Sequence, residues 1–388
     1  MKELDKIVSN YLANFDHKYL ITDEHKNYTK KEIIFKVKEY QKILHKLWKN
    51  SKNRGIAILL PRDVEYICLI FATWMSKGYY LPLSLDAPKK NTLYQLKDAE
   101  VNILVEKKKN KICFTSFKTK KNNKLIKNNY KKIAYIIFTS GSTGKKKGVC
   151  IPNIGLCSYI NSITKIFSLK KKPKSLIISG ELTFDITIAD LVFAFVYGSQ
   201  IILTNKSQNF IGLVSMIKKN NVESIYLVPS ALNKFLEFCK KIGLNNLKSI
   251  KQINLGGERF DDELLSKIKK YLKKVKVYNF YGPTEFTVNS MYHEVDMNKK
   301  YNEIPIGKPL NGIKAMIIKK ELYLSGNQIM LGYVNYKNSF KKINNTNYYA
   351  TGDIVRFNKN KEFIFESRTK DYIKLDGYRI NLLRIESI

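Results

Sequence analysis

The run Thr139, Ser140, Gly141, Ser142, Thr143, Gly144, followed by Lys145, Lys146 and Lys147, is where residue type and spacing first suggest chemistry. Six small or hydroxyl-bearing residues cannot fill a core and would make a poor helix. They read as a loop that presents backbone amides and hydroxyls. An apolar run, 133–138, leads in and "GVCIP" leads out, so the loop is a turn between two strands. Such a turn wraps an anion, with Lys147 adding a positive charge. The spacing is not that of a Walker loop, which after Gly141 requires glycine at 146 and Lys-Ser/Thr behind it; this chain has Lys146, Lys147 and Gly148. GxGxxG is also absent.

Three further turns carry polar or glycine-rich residues: "TFD" (Thr183 to Asp185), "GGE" (Gly256 to Glu258) and "YGPTE" (Tyr281 to Glu285). Each follows an apolar run, respectively "SLIIS", "IKQINL" and "KVYNF". The elements that must position them alternate along the chain. "GIAILLP" reads as a buried strand, "RDVEYICLIFATWMSKG" as a helix ended by Gly78, and "YYLPLS" as the next strand. After the hydroxyl-rich turn the alternation returns, with a helix expected over about 186–197 and stopped by Gly198, and others around 213–219, from Ser230 and from Asp261. Short apolar strands alternating with helices imply an α/β fold whose mainly parallel sheets are covered by helices. Ligands of such sheets gather at the carboxyl ends of the strands, so the four turns should open on one edge. Their combined chemistry is that of a nucleotide, with the hydroxyl-rich loop and Lys147 holding the phosphates of ATP. From about residue 302 the pattern becomes short strands and turns, suggesting a smaller antiparallel β unit packed on the first.

Composition sets the remaining bounds. With 388 residues and 44% hydrophobic content, the chain can bury a large core. No apolar stretch approaches the roughly 20 residues needed to cross a bilayer, and the start lacks a signal peptide's apolar segment, so the expectation is a cytoplasmic protein without a membrane partner. Five cysteines without a CxxC pair fit reduced thiols and no metal cluster. The net charge of +36 invites a nucleic-acid reading. Lysine is spread along the whole chain, however, and arginine, the preferred base reader, is scarce. No nucleic-acid partner is expected. The lysine-rich stretch 107–132 reads as a solvated, partly flexible connector. The basic surface would attract an acidic protein.

"YIIFTSGSTGKKKGV", "FDIT" with "DLVFAFVYGS", "NFYGPTE", "ELYLSGNQIMLGY", "YATGD" and "SRTKDYIKLDGYRIN" occur in an order and spacing that resembles the adenylate-forming superfamily. The likeness is greatest to its amino-acid-activating branch, the adenylation domains of nonribosomal peptide synthetases and D-alanine–carrier-protein ligases. The resemblance implies that a carboxylate attacks the α-phosphate of ATP, pyrophosphate leaves, and a carrier thiol takes the acyl group. It implies that residues 1–369 form the large AMP-binding domain, with 302–369 its β-rich part and 370–388 a hinge and the stub of a mobile C-terminal domain. Roles carry over by position. Thr139, Ser140, Gly141, Ser142, Thr143, Gly144 and Lys147 match the phosphate loop, and Thr139, Lys147 and Glu285 would act on the reacting phosphate. Tyr281, beside Asn279 and Gly282, would stack on adenine, and Gly256, Gly257 and Glu258 would line its other side. Thr284 and Glu285 would meet phosphate and Mg²⁺, an ion that prefers carboxylate and phosphate oxygens. Asp353 would accept the ribose hydroxyls, with Arg368 nearby.

Asp185 bears on the substrate class. By resemblance it pairs with the α-ammonium group of an amino acid, a charge-assisted contact; as a residue, it also stands where a helix begins and could cap it. Ile186, Ala189, Asn254, Gly256, Phe280, Val288 and Asn289 match the substrate pocket and suggest a small amino acid such as alanine, glycine or a short polar one. Some positions depart from the family pattern: Lys146 stands for proline, Ser367 for glycine, Lys370 occupies the hinge, and Asp376 takes a commonly basic or polar place. The family's C-terminal domain with its catalytic lysine would follow the last residue, so the chain could be a piece of a longer protein, a separate polypeptide could supply that domain, or the protein could bind nucleotide without making much adenylate. The expected partner is a separate acidic acyl or peptidyl carrier protein. Two other readings stay open at this point: a ligase placing a non-amino carboxylate on coenzyme A, and a nucleotide-binding protein with little catalysis.

Overall fold

The computed structural model describes residues 3–117, 129, 131–139, 146–205, 209–334, 336 and 340–369, and the backbone of 372–375 and 378–381. The loop residues Ser140, Gly141, Ser142, Thr143 and Gly144, along with Lys370 and Asp376, lie outside the described residues. The described strands form two large sheets, a five-stranded sheet and a two-stranded ribbon. The first large sheet has nine strands; its centre is parallel and runs Lys276–Tyr281, Gln252–Gly256, Ser224–Leu227, Ser175–Ile178, Gln200–Leu203. The second has seven, with a parallel centre of Ile133–Thr139, Tyr79–Pro82, Gly55–Leu59 and Ile103–Lys108. Antiparallel strands close the edges of both.

The helices Val64–Met75, Asn153–Phe167 and Ile186–Tyr197 explain why the two sheets form one body. In the first and third nearly every side chain is buried, and all three share a single hydrophobic cluster with strands of both sheets. A helix apolar all round needs cover on every side. The helix Ile186–Tyr197 has the expected bounds, and Gly198 ends it in the left-handed conformation, φ 70°. Cys68, Cys150, Cys157 and Cys239 are buried free thiols, and no described helix is long and apolar enough to cross a membrane.

The antiparallel unit is present: Lys314–Ile318, Glu321–Ser325, Thr346–Phe357, Phe340–Ile343 and Phe363–Arg368 form the five-stranded sheet. The strand Gly332–Val334 leaves that unit and pairs with Lys147–Pro152, the return strand of the hydroxyl-rich turn. The connector expected over 107–132 is corrected in its first part. Lys111–Ser116 is an edge strand antiparallel to Ile103–Lys108, and Lys109 and Asn110 turn the chain at φ 44° and 63°. Ile112 and Phe114 pack against the core at alternate positions, while Lys111 stays exposed, as an edge strand requires.

Candidate active site

The turns after the strands Ser175–Ile178, Ser224–Leu227, Gln252–Gly256 and Lys276–Tyr281 lie at the carboxyl edge of one sheet, and two adjoining cavities open there. The first, of about 410 Å³, is bounded by Gly257, Glu258, Asn279, Phe280 and Tyr281 and, from the five-stranded sheet, by Asp353 and Arg368. The second, of about 500 Å³, is bounded by Thr139 at the end of the strand Ile133–Thr139, by Asp185, Ile186 and Tyr226, and by Thr284, Glu285, Val288 and Asn289. Gly257, Gly282, Pro283 and Arg368 face both. A ligand longer than either cavity can therefore run from one into the other.

Asp353 anchors the first cavity. Strand pairing sets it opposite Arg368, whose Nε donates to Oδ1 at 2.5 Å and whose Nη2 donates to Oδ2 at 3.4 Å. The Tyr281 hydroxyl donates to Oδ2 at 2.5 Å. Burial alone would lower the Arg368 guanidinium, but the charge and hydrogen bond of Asp353 outweigh it and raise the guanidinium above its ordinary value. Burial first, and then Asp353, push the Tyr281 hydroxyl well up. A carboxylate offers about four acceptor sites, so capacity for a further donor remains. Asn279 donates to the Pro305 carbonyl at 2.7 Å, and Glu258 accepts from the Ser230 N–H at 2.9 Å.

In the second cavity, Asp185 holds the cap position of the helix Ile186–Tyr197, yet its side chain makes no capping hydrogen bond. It lines the cavity instead. Burial raises the hydroxyls of Tyr135, Tyr159 and Tyr226, and the charge of Asp185 adds to all three shifts. Lys147, Gly256 and Ala189 line neither cavity, Phe280 lines the first, and Lys146 rather than Lys147 lines the second. The Lys147 ammonium sits over the ring of Tyr336, 4.2 Å from its centroid, and 5.3 Å from that of Tyr333. Gly256 acts by what it lacks: a Cβ there would come within 2.4 Å of the Tyr226 hydroxyl.

The turn carrying Glu285, Val288 and Asn289 is strained. Thr287 and Val288 are β-branched yet hold φ 53° and 67°. A buried glutamine holds it. Gln328 Nε2 donates to the carbonyls of Phe286, Thr287 and Asn289 at 3.4, 3.2 and 2.9 Å, and Thr287 Oγ1 donates back to the Gln328 carbonyl at 2.5 Å. Gly282 lets the turn fold back, since a Cβ there would meet the Val288 carbonyl at 2.1 Å. The same segment reaches Glu285 twice: Met330 N–H donates to its carbonyl at 2.9 Å, and the Tyr333 hydroxyl donates to Oε1 at 2.8 Å. Tyr226, Gln328 and Tyr333 received no role from the sequence, although the last two stand inside "ELYLSGNQIMLGY".

A family profile described as AMP-binding enzyme matches residues 12–334. The chain belongs to the AMP-binding enzyme family. This member is 28% identical over 364 residues to bacitracin synthase 3 of Bacillus licheniformis, an alignment covering 85% of this chain and 6% of that protein. The chain thus spans a small part of that synthase's length. Among solved structures it is similar to holo-PA1221, a nonribosomal peptide synthetase protein containing adenylation and PCP domains and bound to a vinylsulfonamide inhibitor. That likeness has a TM-score of 0.82 at 18% identity, over 99% of this chain and 71% of the other. It is also similar to the Vibrio cholerae adenylation domain AlmE in complex with glycyl-adenosine-5′-phosphate, with a TM-score of 0.81 at 20% identity, over 100% of this chain and 83% of the other. These structures show that the AMP-binding member has an adenylation-domain fold.

Proposed function

We propose that the chain activates a small amino acid with ATP, releasing pyrophosphate and forming an aminoacyl adenylate that passes to the phosphopantetheine thiol of a separate carrier protein. The observation that carries this reading is the Asp185 carboxylate, declined as a helix cap and lining a cavity that shares a wall with the one anchored by Asp353. In this reading Asp353 accepts the ribose hydroxyls, Arg368 keeps it oriented, and Tyr281 with Gly257 and Glu258 brackets the base beside Asn279. Thr139 and Thr284 present hydroxyls to the phosphates, together with the loop Ser140 to Gly144. Lys147 moves from its aromatic contact to the phosphates. Asp185 holds the substrate ammonium, which leaves the substrate carboxylate facing the α-phosphate.

Glu285 fits a magnesium ligand: it is buried, it lines the second cavity, and Tyr333 takes only one of its acceptor positions. Among the described residues no three His, Cys, Asp or Glu side chains converge on a metal site, which suits an ion held by one carboxylate and the substrate phosphates. When bound, Mg²⁺ would neutralise charge on the phosphates. The relatives that carry adenylation and carrier domains support a carrier partner.

ATP–pyrophosphate exchange over a panel of amino acids and their deaminated analogues tests the proposal. Exchange should require an amino group, and Asp185→Ala should lower it at least about a hundredfold, the cost of leaving a charged ligand group without its buried partner. Exchange only with aliphatic or aryl acids would assign the chain to acyl- or aryl-CoA ligase chemistry. Exchange with nothing would mark a nucleotide-binding protein.

A further inference from the structure

The floor of the second cavity carries polar groups. Tyr226 is the third residue of the strand Ser224–Leu227, and its hydroxyl occupies the space that Gly256 leaves open. That hydroxyl donates to Asn289 Oδ1 at 3.0 Å, and Asn289 Nδ2 donates to the Tyr159 hydroxyl at 2.7 Å. Three elements thus contribute to one chain of hydrogen bonds, and two of its members, Tyr226 and Asn289, face the cavity. A carboxamide nitrogen has two N–H groups, and only one goes to Tyr159. Buried polar groups seek partners, and a hydrocarbon pressed against this floor would supply none.

We infer that the second cavity selects an amino acid whose side chain is short and ends in a hydroxyl or carboxamide, over an aliphatic side chain of the same size. The inference rests on the amino-acid reading above. Tyr226 limits the length, and the open valences of Asn289 and Tyr226 set the chemistry. Val288, Val228 and Ile186 add apolar lining beside these polar groups.

Calorimetric titration of the whole chain with non-hydrolysable aminoacyl-sulfamoyl adenosines tests this without requiring turnover. Matched pairs serve as probes: seryl against 2-aminobutyryl, and asparaginyl against leucyl, with AMP as the reference ligand. The polar member of at least one pair should bind about tenfold or more tightly than its aliphatic partner, the scale of one buried hydrogen bond left unmade. Tyr226→Phe should shrink that ratio to within about threefold, and AMP titrated into the same variant separates lost selectivity from a lost fold. Aliphatic members that bind as tightly or more tightly overturn the inference and leave the amino-acid reading standing. If no aminoacyl analogue binds more tightly than AMP, both are overturned.

Discussion

Asp353 serves two purposes with one carboxylate. Its bond to Tyr281 ties the five-stranded sheet to the nine-stranded sheet, its pair with Arg368 joins two strands of the five-stranded sheet, and its remaining acceptor capacity faces the first cavity. Asp353→Asn separates these purposes, because it keeps the shape and removes the charge. Hydrogen bonds to a charged group contribute roughly 1.5–3 kcal/mol, so AMP affinity measured by calorimetry should fall about ten- to a hundredfold. Arg368 would also lose its anion, and the unfolding free energy in urea should fall by up to about 3 kcal/mol, the lower end for a broken buried pair because the guanidinium keeps some solvent contact. Unchanged AMP affinity would remove Asp353 from the nucleotide site. The resemblance placed Arg368 near Asp353, since each stands in a recognisable motif. Their pairing was not legible, because it depends on the register of two antiparallel strands. Tyr226 was missed for a related reason. "VESIYLVP" reads as a buried strand, and nothing local says that residue 256 lacks the side chain that would have displaced its hydroxyl.

Among the elements, helix and strand alternation was legible because the apolar runs and their glycine stops are local signals; the helix Ile186–Tyr197 has its expected ends. The segment 325–334 was not, because its work is done across the fold. Gln328 closes a turn some forty residues earlier in the chain, whose left-handed Thr287 and Val288 would otherwise favour an extended backbone. Gln328→Leu keeps the volume and leaves three buried carbonyls without that donor. It should cost about 2–4 kcal/mol in chemical denaturation and lower pyrophosphate exchange more than it lowers AMP affinity, because the turn carries Glu285 rather than Asp353. An equal loss in both would mean that the glutamine supports the fold alone. The helix Lys30–Trp48 offers a pH test. Thr29 and Glu32 form a reciprocal capping box, and hydrogen bonds from Lys26 and Thr29 hold the Glu32 carboxyl down at about 2. A depressed carboxyl contributes stability above its ordinary value of 4.5, and that contribution fades as pH falls toward 2. The difference in urea midpoint between the wild type and Glu32→Gln should therefore be largest near neutrality and shrink through this window. A gap that stays constant with pH would refute the assignment.

At the scale of the molecule, the excess of 69 lysines and arginines over 33 acidic residues gives +36, too even along the chain to define one docking face from sequence. Its physical consequence concerns encounter rather than fold. Like charges at this density repel one another, keep copies apart and draw an acidic macromolecule from a distance. Screening sets that reach at about 10 Å in 0.1 M salt and about 30 Å in 0.01 M. Long-range attraction acts on the rate of association, whereas the proposed small-molecule chemistry brings its charges to contact distance inside a cavity, well within the screening length. Salt should therefore divide the two half-reactions. Raising ionic strength from about 0.01 M to about 0.1 M should slow aminoacyl loading of an acidic carrier severalfold under carrier-limited conditions, while pyrophosphate exchange by the same preparation changes little. If both slow together, the surface charge acts on the nucleotide site or on stability, and the basic composition has no bearing on carrier recognition.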